Sequence, residues 1–188
     1  MHTYETLPSR CKKFWSRRYQ LFSRFDDGVY MTSELWYSVT PESIAIFTAR
    51  VVKYLLPDAK NILDVCCGGG GNLIQFAYYF DNVGGIDINL VNARCSMHNA
   101  EIYEIDEDGS VPIHWVPEDL RKEDDIDNTF DFIFCSPPWG GTSYNRGKDS
   151  FDLYEMHPFP IDKLVQSMLQ YTRNVGLFLP KSSNLDQL

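Results

Sequence analysis

Three groups of residues in this chain could act on one ligand pair. The first is Asp64-Val-Cys-Cys-Gly68-Gly-Gly70-Gly, a carboxylate followed by a glycine run. Glycines between a strand and a helix let a ligand approach the backbone closely, because no Cβ intervenes. Leu73 stands where a dinucleotide fingerprint would place its last glycine. A carboxylate just before the turn would also repel a diphosphate and attract an ammonium group. The second group is Asp87, 19 residues beyond Gly68, where a carboxylate can accept hydrogen bonds from both hydroxyls of a ribose. Glu118-Asp119 offers contacts for an adenine amino group. An ammonium partner, close backbone approach and a ribose partner together describe S-adenosylmethionine (AdoMet).

The third group is Ser136-Pro137-Pro138-Trp139-Gly140-Gly141. Two consecutive prolines fix φ near −65° and remove two donors, leaving the carbonyls of a stiff turn free to accept. Such a turn can hold an exocyclic amine by its N–H groups. The indole after it gives a flat heterocycle a face to stack on, worth roughly 1 to 3 kcal/mol per base. The three groups would therefore present a planar amine to a sulfonium methyl. Catalysis of that kind needs alignment and acceptors more than a proton-transfer base. None of His2, His98, His114 or His157 lies in a motif that suggests one.

Positioning these groups requires strands that end together. Asn61–Cys66, Val83–Ile88, Pro112–Val116, Phe130–Cys135 and Val175–Leu179 read as strands. The stretches 72–80, 90–103 and 161–171 read as the helices between them. Alternation of this kind predicts an α/β fold, an open, mostly parallel sheet with helices on both faces, and ligands bound beyond the carboxyl ends of the strands. Upstream, Phe14, Trp15, Tyr19 and Phe22 recur at spacings of three and four, which predicts an amphipathic helix over Ser9–Phe25, followed by an irregular stretch to Val39. Thr40-Pro41-Glu42-Ser43 predicts an N-cap with proline at the first helical position. Ile44, Phe47, Val51 and Leu55 then supply the stripe expected to face the core.

Composition narrows the class. The chain has 188 residues, 44% hydrophobic and 14% aromatic, enough for one packed domain and too apolar for disorder. The sequence lacks an apolar run that would span a bilayer or serve as a signal peptide, which predicts a soluble intracellular protein. Cys11, Cys66, Cys67, Cys95 and Cys135 fit neither a disulfide framework nor a metal-site spacing, so reduced cysteines and no metal are expected. The net charge of −9 argues against broad nucleic-acid binding, yet it is unevenly distributed. Arg10, Lys12, Lys13, Arg17, Arg18 and Arg24 cluster without an intervening acid, whereas Glu101–Asp131 holds twelve carboxylates. A basic arm thus precedes an acidic body.

The spacing of Asp64, Gly68, Gly70, Asp87 and the proline-proline-aromatic turn resembles that of class I AdoMet-dependent amino-group methyltransferases. A narrower resemblance covers nearly the whole chain. Lys13-Phe-Trp15, Leu21-Phe-Ser-Arg-Phe-Asp-Asp-Gly28, Trp36-Tyr-Ser-Val-Thr-Pro-Glu42, Gly71-Asn72, Asn99-Ala-Glu101, Ser136-Pro-Pro-Trp-Gly-Gly141 and Leu179-Pro180 are similar to the trimethylguanosine synthase family. That resemblance implies conversion of the 7-methylguanosine cap of small nuclear and nucleolar RNAs to the 2,2,7-trimethyl form, by two methyl transfers from AdoMet to N2. It implies AdoMet contacts from Phe22, Thr40, Asp64, Gly68, Gly70, Asp87 and Asp119, and orientation of N2 by Ser136 and Pro137. Trp139 would stack the 7-methylguanine, whose positive charge adds a cation–π contribution. Glu34 and Asn99 would meet the guanine edge, and Lys13, Tyr144 and Lys181 the cap triphosphate.

The same resemblance implies a nuclear, especially nucleolar, location with cytoplasm as an alternative, and small ribonucleoprotein core proteins as further partners. It divides the chain into a helical, cap-binding extension over 1–56 and a methyltransferase core over 57–188. It also implies closing strands past the fifth, which are missing before the chain stops at Leu188, so a C-terminally short core is expected. Two other readings remain at this point. One is an amino-group methyltransferase acting on adenine N6 or cytosine N4 of DNA or RNA. The other is a catalytically silent cap-binding module.

Overall fold

Each apolar run becomes a strand, and the first, second and fourth end at or beside the predicted chemistry. In a computed structural model, residues 4–105, 113–115 (backbone only), 130–140 and 150–188 are described. The strands are β1 (Asn61–Val65), β2 (Asn82–Ile86), β3 (Ile113–Trp115), β4 (Phe132–Cys135) and β5 (Val175–Leu177). They form one sheet in the order β3-β2-β1-β4-β5, all neighbours parallel. Register pairs Asp64 with Gly85 on one side and with Phe134 on the other.

Side-chain alternation sorts the strands onto two cores. Ile62, Phe132 and Phe134 join Leu73, Phe76, Ala49 and Trp36 on one face. Leu63, Val65, Ile133 and Cys135 join Leu153, Ile161, Leu164 and Met168 on the other. Helices α5 (Gly71–Ala77) and α6 (Leu90–Ile102) follow β1 and β2, and α7 (Ile161–Met168) precedes β5. Burial on both faces explains why the strands read as continuous apolar runs. One apolar cluster runs through both 1–56 and 57–188, joining Leu7, Cys11, Leu21 and Phe22 to Ile62 and Leu73.

Two upstream expectations are corrected. The continuous helix over Ser9–Phe25 is instead a string of short turns: α1 (Ser9–Lys12), a 3₁₀ turn at Trp15–Arg17, α2 (Arg18–Leu21) and a second 3₁₀ turn at Phe25–Asp27. Trp15 and Phe25 each pack on Trp36, with ring centroids 5.7 and 5.4 Å apart, and these irregular turns supply the required directions. The irregular stretch to Val39 contains α3 (Leu35–Ser38).

The helix after Thr40, α4 (Glu42–Leu55), is present but rotated from its expected phase. Ala45, Ala49 and Val52 face inward, while Phe47 and Leu55 are 65% and 66% exposed. Small residues let α4 approach α5 closely, which outweighs burying the larger stripe. Pro41 occupies the cap position and no side chain caps the helix. The Thr40 hydroxyl instead accepts a hydrogen bond from Asn72 Nδ2 at 2.9 Å.

Candidate active site at the carboxyl edge of the sheet

The glycine turn is shaped by conformations that side chains disfavour. Gly68 and Gly70 have φ of +56° and +86°, and Cys66 also has a positive φ of 64°. At Gly70 a Cβ would meet Ser96 Oγ at 2.7 Å, so both dihedral and space require glycine. Leu35 packs directly against this turn, 3.3 Å from where a Cβ on Gly68 would be. That contact ties the turn to the arm.

Asp64 lies beneath the turn, fully buried, and neither oxygen has a hydrogen-bond partner of ordinary geometry. Burial drives its carboxyl pKa well above the usual range; the Leu73 amide opposes this and the Asp87 charge adds to it. A sealed, unsatisfied carboxylate is costly unless a cation or donor reaches it. Asp64 is therefore not a freely presented contact, but a buried acceptor still lacking its partner.

Asp87 is half-buried at the end of β2. Its Oδ2 accepts the Gly68 N–H at 2.9 Å and its Oδ1 the Asn89 N–H at 2.8 Å. Burial raises its pKa, the Asn89 and Gly68 amides lower it, and the nearby Glu34 charge raises it again. The Asn92 side chain is a third donor to this carboxylate, which still leaves acceptor capacity for one more. The orphaned Asp64 and the partly used Asp87 on either side of the glycine turn fit an AdoMet-like ligand with its ammonium and ribose. Phe22 is buried within van der Waals range of the arm core, its ring 6.2 Å from that of Tyr103. Thr40 is buried above Gly71, where a Cβ would lie 3.2 Å from the Thr40 carbonyl.

Asn99 is corrected most sharply. The expected guanine-edge contact is fully buried, with its amide spent on protein. Oδ1 accepts the Tyr30 N–H at 2.7 Å, and Nδ2 donates to the carbonyls of Tyr30 at 3.0 Å and Gly69 at 2.9 Å. It therefore clamps the arm to the glycine turn. Asn92 does related work, its Oδ1 accepting from Thr32 Oγ1 at 2.9 Å. Sequence reasoning missed this role, though the spacing Asn92–Ser96–Asn99–Tyr103 along α6 carries the signal: all four are buried, a polar stripe where a core helix should be apolar.

The acceptor turn leaves β4 beside the glycine turn, because Val65 and Cys135 are register partners. Ser136 is half-buried, Pro137 buried and Pro138 exposed. The half-buried Trp139 lies against Phe178, just past β5, with ring centroids 5.7 Å apart. Lys181 is exposed beyond the same strand. Lys13 is exposed on the arm, its Nζ 4.9 Å from the Phe14 ring centroid, and Glu34 is exposed at the start of α3. Asp119, Glu118 and Tyr144 lie outside the described residues. No group of three or more potential metal ligands occurs among the described residues, and no helix of the described residues is long and apolar enough to cross a membrane.

A parallel sheet ordered 3-2-1-4-5, with a glycine turn after β1 and a ribose-type carboxylate after β2, defines the class I methyltransferase fold. The fold is shared with a Porphyromonas gingivalis W83 protein assigned as a methyltransferase, at TM-score 0.66 and 16% identity, covering 97% of this chain and 43% of that one. Residues 59–188 match the family described as RNA cap guanine-N2 methyltransferase, and the chain belongs to that family. It is 43% identical over 178 residues to the trimethylguanosine synthase of Saccharomyces cerevisiae, covering 94% of this chain and 56% of the relative. It is 36% identical over 184 residues to that of Schizosaccharomyces pombe, covering 97% and 75%. The chain thus spans little more than half the length of the first of these relatives and three quarters of the second.

Proposed function

We propose that this chain transfers methyl groups from AdoMet to the exocyclic N2 of a 7-methylguanosine RNA cap, twice in succession. The observation that carries this reading is the adjacency of two turns. The glycine turn after β1 and Ser136–Trp139 after β4 leave register-paired strands side by side. A donor held by the first and a base held by the second would therefore meet across one strand spacing of about 5 Å. Bound AdoMet supplies an electrophilic methyl on a sulfonium.

The chain's own residues do the rest by positioning. Asp87 accepts from the ribose, and the open backbone at Gly68–Gly70 lets the donor sit close to the sheet edge. Backbone carbonyls of the Ser136-Pro137 turn accept the N2 hydrogens, point the nitrogen lone pair at the donor and stabilise the amine as it becomes positive. Trp139 holds the cationic ring by stacking and cation–π attraction, which gives prior N7 methylation a physical basis. Lys13 and Lys181, both exposed, meet the triphosphate. As the N2–methyl bond forms, the sulfur–methyl bond breaks and S-adenosylhomocysteine leaves; the N2 proton then passes to solvent, so no side-chain base is needed.

The same reading places the protein with small nuclear and nucleolar RNAs and their ribonucleoprotein cores in the nucleus. RNA recovered with the tagged protein tests that extension. The reaction itself is tested by incubating the chain with AdoMet and 7-methylguanosine triphosphate and weighing the product. Two added methyls on the guanine are expected and GTP should remain unmodified. Methylation of adenine instead, or binding without transfer, would overturn the reading.

A further inference from the structure

Of the donors that hold Asp87, one leads into the arm. The Gly68 and Asn89 amides belong to the glycine turn and to the cap of α6. The Asn92 side chain, buried in the first turn of α6, is the third. An ionised carboxylate only accepts, so Asn92 must turn Nδ2 to Asp87 and Oδ1 away from it. That Oδ1 accepts from the half-buried Thr32 hydroxyl at 2.9 Å. Thr32 Oγ1 in turn receives the Leu35 N–H over a longer 3.4 Å. The bonds therefore run one way, from Leu35 through Thr32 and Asn92 to Asp87, and each donor polarises the next.

Two other contacts seat the same stretch of arm on α6. Asn99, about two turns beyond Asn92, holds the Tyr30 backbone, and between them Cys95 Sγ accepts from the Thr32 backbone. Residues three or four apart share a helix face, so Asn92, Cys95 and Asn99 form one rail along which the arm is laid. Leu35 closes the circuit by packing on the glycine turn whose Gly68 N–H donates to Asp87. Asn99 binds only backbone, whereas Asn92 joins the rail to a carboxylate. A buried amide is costly unless both its ends are bonded. Here Thr32 satisfies one end and Asp87 the other.

We propose that Asn92 is a positioning residue for the methyl donor: together with Thr32 it fixes the plane of the Asp87 carboxylate, so that its remaining acceptor site points at the donor ribose. This rests on the assignment of Asp87 to AdoMet and goes beyond it, by making donor affinity depend on a hydroxyl in the arm. A plain brace between arm and α6 would matter to the same extent whether or not Asp87 were present. A relay that acts through Asp87 matters only while that carboxylate is there.

The test is calorimetric titration with S-adenosylhomocysteine of Thr32→Val, Thr32→Ser and Asn92→Leu, each alone and combined with Asp87→Ala. Valine keeps the shape of threonine and removes its hydroxyl, so Thr32→Val is the milder cut and Asn92→Leu the deeper one. Thr32→Val should weaken binding about fivefold and Asn92→Leu about tenfold, the size expected where one residue orients another's ligand contact. Thr32→Ser keeps the hydroxyl and should stay within about twofold of wild type. In the Asp87→Ala background, Thr32→Val and Asn92→Leu should each cost less than about 1.5-fold more, because the interaction they serve is already gone. Affinity of Thr32→Val for 7-methylguanosine triphosphate should match wild type.

Unchanged S-adenosylhomocysteine affinity in Thr32→Val and Asn92→Leu overturns the relay. So does an equal loss with and without Asp87, or a loss in Thr32→Ser as large as in Thr32→Val; in each case the donor assignment of Asp87 stands. Full affinity in Asp87→Ala alone overturns that assignment, and the relay with it.

Discussion

The two turns that leave β1 and β4 are neighbours in register, yet they are made rigid in different ways. The glycine turn is held from a distance: Asp87 takes the Gly68 N–H, Asn99 binds the Gly69 carbonyl, and Leu35 packs on both glycines. The Ser136–Trp139 turn is stiff through its own covalent structure, two prolines followed by an indole against Phe178. The donor side can therefore be disturbed from α6 or from the arm, whereas the acceptor side should yield only to changes within it or beside it.

Mutations that separate the two sides test this contrast. The largest effect is expected for Trp139→Ala. Loss of stacking and of the cation–π contact, together about 3 kcal/mol, weakens cap-nucleotide binding by roughly a hundredfold or more. Calorimetry should show S-adenosylhomocysteine binding within twofold of wild type. Asp87→Ala should do the reverse: loss of charge-assisted bonds worth about 2 kcal/mol weakens S-adenosylhomocysteine some thirtyfold. The cap nucleotide should be little affected, and equal loss of both ligands in either variant would refute the division.

Asn99→Ala reaches the donor side indirectly. It leaves the buried Gly69 carbonyl and the partly buried Tyr30 backbone groups unpaired, at about 2 kcal/mol, which lowers Tm by roughly 4–8 °C for a chain of this size. Asp64→Asn carries a pH signature. Because burial raises its folded-state pKa, Asp64 contributes stability that is complete below its ordinary value of 3.8 and lost as pH rises through the folded value. The variant should therefore raise the Tm of the ligand-free chain at pH 8 and leave it unchanged at pH 3. Smallest of all is Phe47→Ser on the outer face of α4, expected within about 0.5 kcal/mol of wild type by denaturant unfolding.

Much of the sheet was legible because its signals are local. The glycine run and the apolar runs read at Asn61–Cys66, Val83–Ile88 and Phe130–Cys135 together mark the active edge of the sheet. The carboxylate at Asp87 and the proline turn followed directly from those strand ends. The arm was less legible because its shape is set by partners distant in sequence. Trp15 and Phe25 both meet Trp36, and on a straight helix they would stand about 15 Å apart.

Periodicity counts large apolar residues, so it points the wrong face of α4 inward. Close approach of two helices instead selects small ones, here Ala45 and Ala49. At Asn99, a polar residue in a shared motif suggests a ligand contact. Its three hydrogen bonds to backbone are invisible until Tyr30 and Gly69 are brought together in space.

The central claim is that a methylated purine and a methyl donor are held by adjacent strand ends, the purine on Trp139. A crystal structure of the chain with S-adenosylhomocysteine and 7-methylguanosine triphosphate tests it most directly. The account predicts the purine flat on the Trp139 indole, its N2 within hydrogen-bond distance of a Ser136 or Pro137 carbonyl and directed at the sulfur. A purine bound away from the Trp139 indole, with N2 facing solvent, would contradict it.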